Sequence, residues 1–110
     1  MDCIFCKIIK GEIPSTKVLE NDEVFAFDDI NPKAKVHILI VPKKHIESVR
    51  SLELSDKGLM GEMVLVAQKI AKEKNLSGYK LVINVGRDGG QLVDHLHLHL
   101  LGGDVSMKSL

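Results

Sequence analysis

Seven residues late in the chain, His95–Leu101, alternate between histidine and leucine and end in a pair of leucines. In a β-strand successive side chains point to opposite faces of the sheet, so this alternation predicts a strand with one leucine face and one imidazole face. Burial of the leucines would hold the strand in a sheet. The imidazoles of His95, His97 and His99 would then stand in a row, about 6 to 7 Å apart at Cα.

Four further apolar segments predict the partner strands of this sheet. The most apolar of them is rich in β-branched residues and ends at Pro42, which favours a central strand. Two short ones are separated by Asn21 and Asp22, residues typical of turns, and therefore predict a hairpin. In chain order the four predicted strands are Thr16–Leu19, Val24–Phe27, Val36–Val41 and Tyr79–Val85.

Two helices are predicted beside these strands. The short one, Cys3–Lys10, has apolar residues at helical spacing and ends before Gly11. The long one, Ser55–Lys74, repeats apolar residues on a single face, and Ser55 is its predicted N-cap. That face consists of Leu59, Met63, Val66, Ala67 and Ile70.

Length and composition limit the chain to one small domain. It has 110 residues, of which 45% are hydrophobic and 27% charged, as is typical of a soluble globular protein. We therefore expect one α+β domain over residues 1–110, with a mainly antiparallel sheet of about five strands, one long helix and a short N-terminal helix. Fifteen basic residues balance fifteen acidic ones, which argues against nucleic acid as a partner. We expect no membrane span and no signal peptide, and two cysteines favour the reducing cytoplasm.

The row of histidines has three interpretations. It is a set of solvent-facing polar residues, a metal site, or a site of nucleophilic catalysis by one imidazole. Gly89 and Gly90 precede the row, and their peptide N–H groups are suited to meeting phosphate oxygens. This favours a ligand site, but spacing alone does not separate metal binding from catalysis.

The sequence resembles the histidine-triad (HIT) superfamily. His95–Leu101 is similar to the defining motif of that superfamily, in which histidines alternate with apolar residues. Other segments are similar to the branch of histidine triad nucleotide-binding proteins, the purine nucleoside phosphoramidases. These segments are Cys3–Ile9, Glu12–Pro14, Ala26–Pro32, Val41–His45 and Asp88–Gln91. The resemblance implies a HIT-like fold and a cytoplasmic, homodimeric enzyme that hydrolyses purine nucleotides.

The resemblance also implies a mechanism and its catalytic residues. The P–N bond of a purine nucleoside 5′-phosphoramidate would be cleaved through a covalent nucleotidyl-histidine, with release of the nucleoside monophosphate. His97, the middle histidine, would be the nucleophile, and His99 would hydrogen-bond the phosphate. Since a neutral imidazole is nucleophilic at pH 7, it needs no prior deprotonation. His95 and His37 complete the catalytic set, and His37 either orients the triad from behind or is simply packed in its strand.

The nucleotide-binding residues are implied in the same way. Asn84, Gln91 and the Gly90 backbone would position phosphate oxygens, and Asp29 would accept the ribose hydroxyls. An apolar slot would hold the base, although packing in the core is an equal alternative for Phe27 and Ile30. The residues of this slot are Phe5, Ile8, Phe27 and Ile30.

The two cysteines are interpreted as metal ligands. Cys3 and Cys6 make a poor redox motif, because no strand leads into them. With His45 and His95 they provide two thiolates and two imidazoles, the ligand set of a closed structural zinc site. The alternative is a pair of small buried thiols. A structural zinc would leave His97 free, and no catalytic metal or organic cofactor is expected.

Two positions depart from the pattern of the relatives. Those proteins commonly carry Ser or Thr directly after the Gly-Gly-Gln segment, where a hydroxyl can donate toward the leaving group, and this chain has Leu92. The final segment, Asp104–Leu110, is short where relatives often extend toward the partner subunit. Other functions therefore stay open: a dinucleoside polyphosphate hydrolase, a zinc-stabilised nucleotide-binding module with little turnover, or a zinc hydrolase with the triad as ligands. Arg87 would assist a polyphosphate or is a solvated loop residue.

Overall fold

The computed structural model describes residues 3–103 and has a single five-stranded antiparallel sheet in the order β1-β2-β3-β5-β4. The strands are β1 Lys17–Glu20, β2 Val24–Asp28, β3 Val36–Pro42, β4 Tyr79–Val82 and β5 Leu98–Gly102. The helices are α1 Ile4–Ile9 and α2 Lys57–Glu73, with 3-10 turns at Val49–Ser51, Leu54–Asp56 and Arg87–Gly89. The predicted α+β fold is confirmed, while Asp104–Leu110 lies outside the described residues.

The central strand β3 is buried on both faces, which explains why it is apolar at nearly every position. Ile38 and Ile40 are fully buried in the cluster that α2 covers. Leu39 and Val41 point the other way, into a cluster with Phe5 of α1. Burial of apolar surface contributes about 25 cal/mol per Å², on the order of 2 kcal/mol for each buried aliphatic side chain. A strand covered on both faces buries all of its side chains and therefore stabilises the sheet most.

The predicted N-cap of the long helix is wrong. Helix α2 begins at Lys57, and Asp56 occupies the N-cap position after a 3-10 turn. The carboxylate of Asp56 accepts a hydrogen bond of 2.9 Å from the Glu53 amide and one of 2.9 Å from Lys44 Nζ. These contacts stabilise the turn and leave Ser55 on its exposed side.

Two predicted strands are shorter than expected. β5 begins at Leu98 rather than His95, because its partner β3 ends at Pro42, which has no amide N–H to donate. The residues before Leu98 bond outside the sheet instead: the amide of Leu96 donates to the carbonyl of Ile46 at 2.7 Å. Strand β4 ends at Val82, so Asn84 lies in the connection that follows. No helix among residues 3–103 is long and apolar enough to cross a membrane.

Candidate active site

Four histidines gather on the face of the sheet that α1 covers. The register of β3 and β5 places Leu39 opposite His99, so both side chains point to that face. The ring centroid of His99 lies 5.2 Å from that of His37 and 5.0 Å from that of His97. His95 is 0% exposed and His97 is 7% exposed, so the interpretation as solvent-facing polar residues is wrong.

The backbone fixes the tautomer of His97. Its Nδ1 lies 2.7 Å from the carbonyl oxygen of His95, and a carbonyl only accepts, so Nδ1 carries the proton. In the neutral ring the lone pair is then on Nε2. The ring of Phe5 packs edge-on against this imidazole at a centroid distance of 5.1 Å and an interplanar angle of 86°. The ring is therefore held in one orientation with a nucleophilic nitrogen on its free side.

A second chain of hydrogen bonds sets the tautomer of His99. The amide of Lys33 donates to Nδ1 of His37 at 3.0 Å, so the proton of neutral His37 is on Nε2. That Nε2 lies 3.0 Å from Nδ1 of His99 and 3.4 Å from Oδ2 of Asp29. When His37 donates to His99, the proton of neutral His99 is on Nε2. This Nε2 is buried and has no hydrogen-bond partner among residues 3–103, so it is a donor available to a ligand.

Burial keeps these imidazoles neutral. Loss of hydration lowers the pKa of His97, and the same cause lowers the pKa of His37. Burial, together with the neighbouring rings of His97 and His37, lowers the pKa of His99 to about 4. All three rings are therefore uncharged at neutral pH, and the lone pair of His97 Nε2 is available without deprotonation.

The candidate base slot divides into buried and exposed residues. Phe5, Ile8 and Phe27 are buried, and the rings of Phe5 and Phe27 meet edge-on at 5.6 Å. Ile30 is 89% exposed, which excludes the core alternative for this residue. Asp29 lies beside it, with one carboxylate oxygen on the Asn31 amide at 2.8 Å and the other facing His37.

The glycine-rich loop is closed on itself by Gln91. The side-chain oxygen of Gln91 accepts from the Gly86 amide at 2.9 Å, and its nitrogen donates to the carbonyls of Glu47 and Val93. The Gln91 amide group is thus engaged in holding the loop. Gly90 has φ +88°, and a Cβ there would lie 3.8 Å from Cγ of Asn84. Gly90 and Asn84, two of the candidate phosphate-binding residues, are therefore within contact distance of each other.

The four candidate metal ligands meet on one side of this site. Nδ1 of His95 lies 3.3 Å from Cys3 Sγ, 3.7 Å from Cys6 Sγ and 3.2 Å from His45 Nδ1. Cys6 Sγ and His45 Nδ1 are 3.4 Å apart. Nε2 of His95 donates to the carbonyl of Pro42 at 2.8 Å, so the lone pair of the neutral ring points at the thiols. These four residues could hold a metal ion.

The groups that sequence reasoning missed are mostly backbone groups. The carbonyls of His95 and Pro42 and the amide of Lys33 set the three tautomers, yet any residue type supplies a carbonyl. No sequence signal marks them. The edge-on contact of Phe5 with His97 was likewise absent from the prediction, which assigned Phe5 to the base slot alone.

Comparison with known proteins places this geometry in a family. The family model described as "Scavenger mRNA decapping enzyme C-term binding" matches residues 2–110. The purine nucleoside phosphoramidase of Escherichia coli (strain K12) is 46% identical over 104 residues, which are 93% of this chain and 87% of that protein. The HIT family hydrolase from Legionella pneumophila Philadelphia 1 superposes with a TM-score of 0.92 at 48% identity, covering 94% of this chain and 95% of that chain. The histidine triad protein from Clostridium difficile has a TM-score of 0.93 at 51% identity, covering 96% and 94%.

Proposed function

Because this chain belongs to the histidine-triad family, we propose that it hydrolyses purine nucleoside 5′-phosphoramidates at the P–N bond. The observation that carries the proposal is the arrangement of two neutral imidazoles, His97 with its lone pair on Nε2 and His99 with an unpaired Nε2–H donor. A nucleophile beside a donor suits attack on a phosphorus centre whose oxygens gain negative charge. The name of the Escherichia coli relative supports the same substrate class.

The proposed reaction has two displacements. Nε2 of His97 forms a bond to the α-phosphorus, and the P–N bond breaks as the nitrogen takes a proton from solvent and leaves as an amine. Water then attacks the nucleotidyl-histidine; its oxygen stays on phosphorus and its proton passes to solvent. The N–P bond breaks to release the nucleoside monophosphate and restore the imidazole. The carbonyl of His95 stabilises the charge that His97 gains in the first step, because it accepts from Nδ1 at 2.7 Å.

The remaining site residues have binding roles in this proposal. Asn84 and the Gly90 amide position phosphate oxygens, and Asp29 accepts the ribose hydroxyls. Gln91 acts by holding the glycine loop, which its three hydrogen bonds support. The base lies between exposed Ile30 and the buried apolar wall, and the buried members of that wall are Phe5, Ile8 and Phe27.

We expect the native chain, but not His97→Ala, to acquire a nucleotidyl group from an adenosine 5′-phosphoramidate. His97 presents a free lone pair beside the His99 donor, so its loss removes the bond-forming atom. Intact-mass spectrometry after an alkaline quench measures the adduct. A chain that releases AMP without any adduct, or an adduct that persists in His97→Ala, would falsify the covalent route.

Leu92→Ser should raise kcat on phosphoramidates by at least tenfold, because a hydroxyl donor near a developing charge is worth roughly 3 kcal/mol. Leu92 is 81% exposed, so the change leaves the core intact. Leu92→Ala is the matched control, since it removes the apolar side chain without supplying a donor. Equal rates in the Ser and Ala variants would show that the hydroxyl has no such role.

We propose that the cluster of Cys3, Cys6, His45 and His95 binds a structural zinc ion. A tetrahedral site with Zn–S of about 2.3 Å and Zn–N of about 2.0 Å has donor–donor edges of roughly 3.3 to 3.8 Å. The measured separations of 3.2 to 3.7 Å fit those edges. Two reduced thiols in such a site suit a reducing compartment, so we also propose a cytoplasmic location.

Removal of zinc by a chelator should lower Tm by about 10 °C, because metal-binding energy is folding energy at a structural site. Cys6→Ser should show the lower Tm from the start and respond no further. Metal content measured on the purified chain identifies the ion. Loss of hydrolysis at an unchanged Tm would instead indicate a catalytic metal and contradict the structural role.

We propose that the chain forms a homodimer through the edge of the sheet at β4. Leu81 is 38% exposed and lies on the same face of the sheet as α2, where Leu65 is 59% exposed. The other edge, β1, instead carries the ion pair of Lys17 with Glu20 at 3.0 Å. Exposed leucines on a sheet edge and on the helix that covers that face are suited to contact with a second copy of the chain.

Leu81→Asp should convert the dimer into a monomer, because the carboxylate would lie in the apolar contact. Leu54→Asp is the matched control, since Leu54 is 85% exposed and lies before α2. Sedimentation equilibrium gives the mass of each variant. A wild-type monomer, or an unchanged dimer in Leu81→Asp, would rule out this surface.

A further inference from the structure

Helix α1 is too short to hold its own place on the sheet. It has six residues, and isolated helices of that length are not stable in water. Its position therefore depends on side chains that pack or bond elsewhere. Phe5 and Ile8 are buried in the apolar cluster on this face. Cys3, which is the N-cap residue, and Cys6 reach the candidate metal cluster.

Phe5 lies between the two cysteines in the sequence, and its ring contacts two histidines. The ring centroid lies 5.8 Å from that of His95 and 5.1 Å from that of His97, with interplanar angles of 69° and 86°. The first of these histidines is a candidate metal ligand, and the second is the proposed nucleophile. A displacement of α1 would therefore move the ring that packs against the nucleophile.

His95 connects the metal cluster to His97 by a second route. Its Nδ1 lies 3.3 Å from Cys3 Sγ, while its main-chain carbonyl accepts the Nδ1 proton of His97 at 2.7 Å. Because the side chain and the carbonyl belong to one residue, an imidazole fixed in the cluster also restrains the acceptor of this hydrogen bond. The ring of His97 is thus in contact with two groups that are anchored at the same cluster.

Bonds to a metal ion would restrain α1 more tightly than the contacts among the four side chains do. Zn–S and Zn–N bonds have narrowly defined lengths, whereas a thiol is only a weak hydrogen-bond donor. Cys3 and Cys6 therefore hold α1 less firmly when they bind no ion. A reacting group misplaced by about 1 Å can lose on the order of a hundredfold in rate, so a small shift of α1 is enough to affect the chemistry.

We propose that Cys3 and Cys6, when they bind a metal ion together with the two histidines of the cluster, orient His97 for attack through Phe5 and His95. The inference rests on the proposed function, because it concerns the same nucleophile. Phe5 is then a positioning residue as well as part of the base slot. Occupancy of the cluster sets the rate of the first displacement in addition to the stability of the fold.

The first measurement is the rate at which the nucleotidyl-histidine forms in a single turnover, well below Tm and at saturating adenosine 5′-phosphoramidate. Saturation removes any effect of the base slot on affinity, so the rate reports the bond-forming step. A chain freed of metal by a chelator should react about tenfold more slowly than the same chain after addition of zinc ions. Recovery on addition of zinc excludes irreversible damage as the cause.

The second measurement needs no nucleotide. NMR correlation of the ring nitrogens with the ring protons identifies the tautomer of His97 and shows whether its ring is held in one state. We expect one sharp set of signals with the proton on Nδ1 in the zinc-loaded chain. After removal of the metal the signals should broaden or show partial protonation of Nε2, because the carbonyl of His95 and the ring of Phe5 are less restrained.

Three variants separate positioning from stability. Phe5→Leu should slow the first displacement several-fold in the zinc-loaded chain, because leucine has no ring edge to pack against His97. Phe25→Leu is the matched control and should react at the native rate, since Phe25 is buried in the same apolar cluster and its ring contacts Phe27. Ile70→Val should lower Tm without slowing the step, because Ile70 is buried under α2 on the other face of the sheet.

The outcomes distinguish this inference from the proposed function. An unchanged rate after metal removal, or a slower rate with unchanged His97 signals, overturns the inference alone. Equal slowing in Phe5→Leu and Phe25→Leu, or slowing in Ile70→Val, overturns it as well, since lost packing or stability then explains the effect. The two phenylalanine variants decide the question even where the metal-free chain unfolds. Absence of any nucleotidyl-histidine in the zinc-loaded chain overturns the proposed function and the inference together.

Discussion

The antiparallel register of β3 with β5 is the constraint on which the candidate active site depends. It places Ile38 opposite Leu100 on the face covered by α2, and Leu39 opposite His99 on the face covered by α1. Side chains alternate with a period of two, so a slip by one residue would exchange the two faces. The imidazole would then enter an aliphatic core with no partner for its N–H. The cost of that burial makes the observed register the stable one.

Within that register, the backbone decides what each imidazole can do. His95 and His97 each donate one ring N–H to a carbonyl, and His37 accepts from an amide. A buried ring with one nitrogen satisfied in this way has its other nitrogen free for a ligand, and the protein chooses which nitrogen that is. The same residue type thereby supplies a candidate metal ligand at His95, a lone pair at His97 and a donor at His99. Because these contacts are present before any ligand binds, little reorganisation accompanies binding.

Much of the fold was predictable because it follows from local patterns. Alternation and β-branched runs located the strands, and helical spacing gave the buried face of α2, including Met63 and Ile70. The meeting of Cys3 and Cys6 with two distant histidines was also predictable, because two thiols and two imidazoles are the ligand types of a structural zinc site, and the four residues do lie together. The start of β5 was not, since it depends on where β3 ends at Pro42 and so on tertiary contact. Ser55 is a suitable residue type for an N-cap. Asp56 occupies that position instead, because its carboxylate accepts hydrogen bonds from Glu53 and Lys44.

The ligands of the candidate metal cluster have a consequence for the order in which the molecule assembles. Cys3 and His95 are 92 positions apart, so helix α1 lacks one of its anchors until the segment just before β5 has been synthesised. The hairpin of β1 and β2 is local and can form early. A contact between residues so far apart in sequence forms later, because closing the long loop between them costs more conformational entropy. Helix α1 can pack on β2 and β3 before His95 is made, but it then lacks this anchor. Until His95 arrives, the apolar side of β2 and β3 that α1 covers is more easily exposed to other chains.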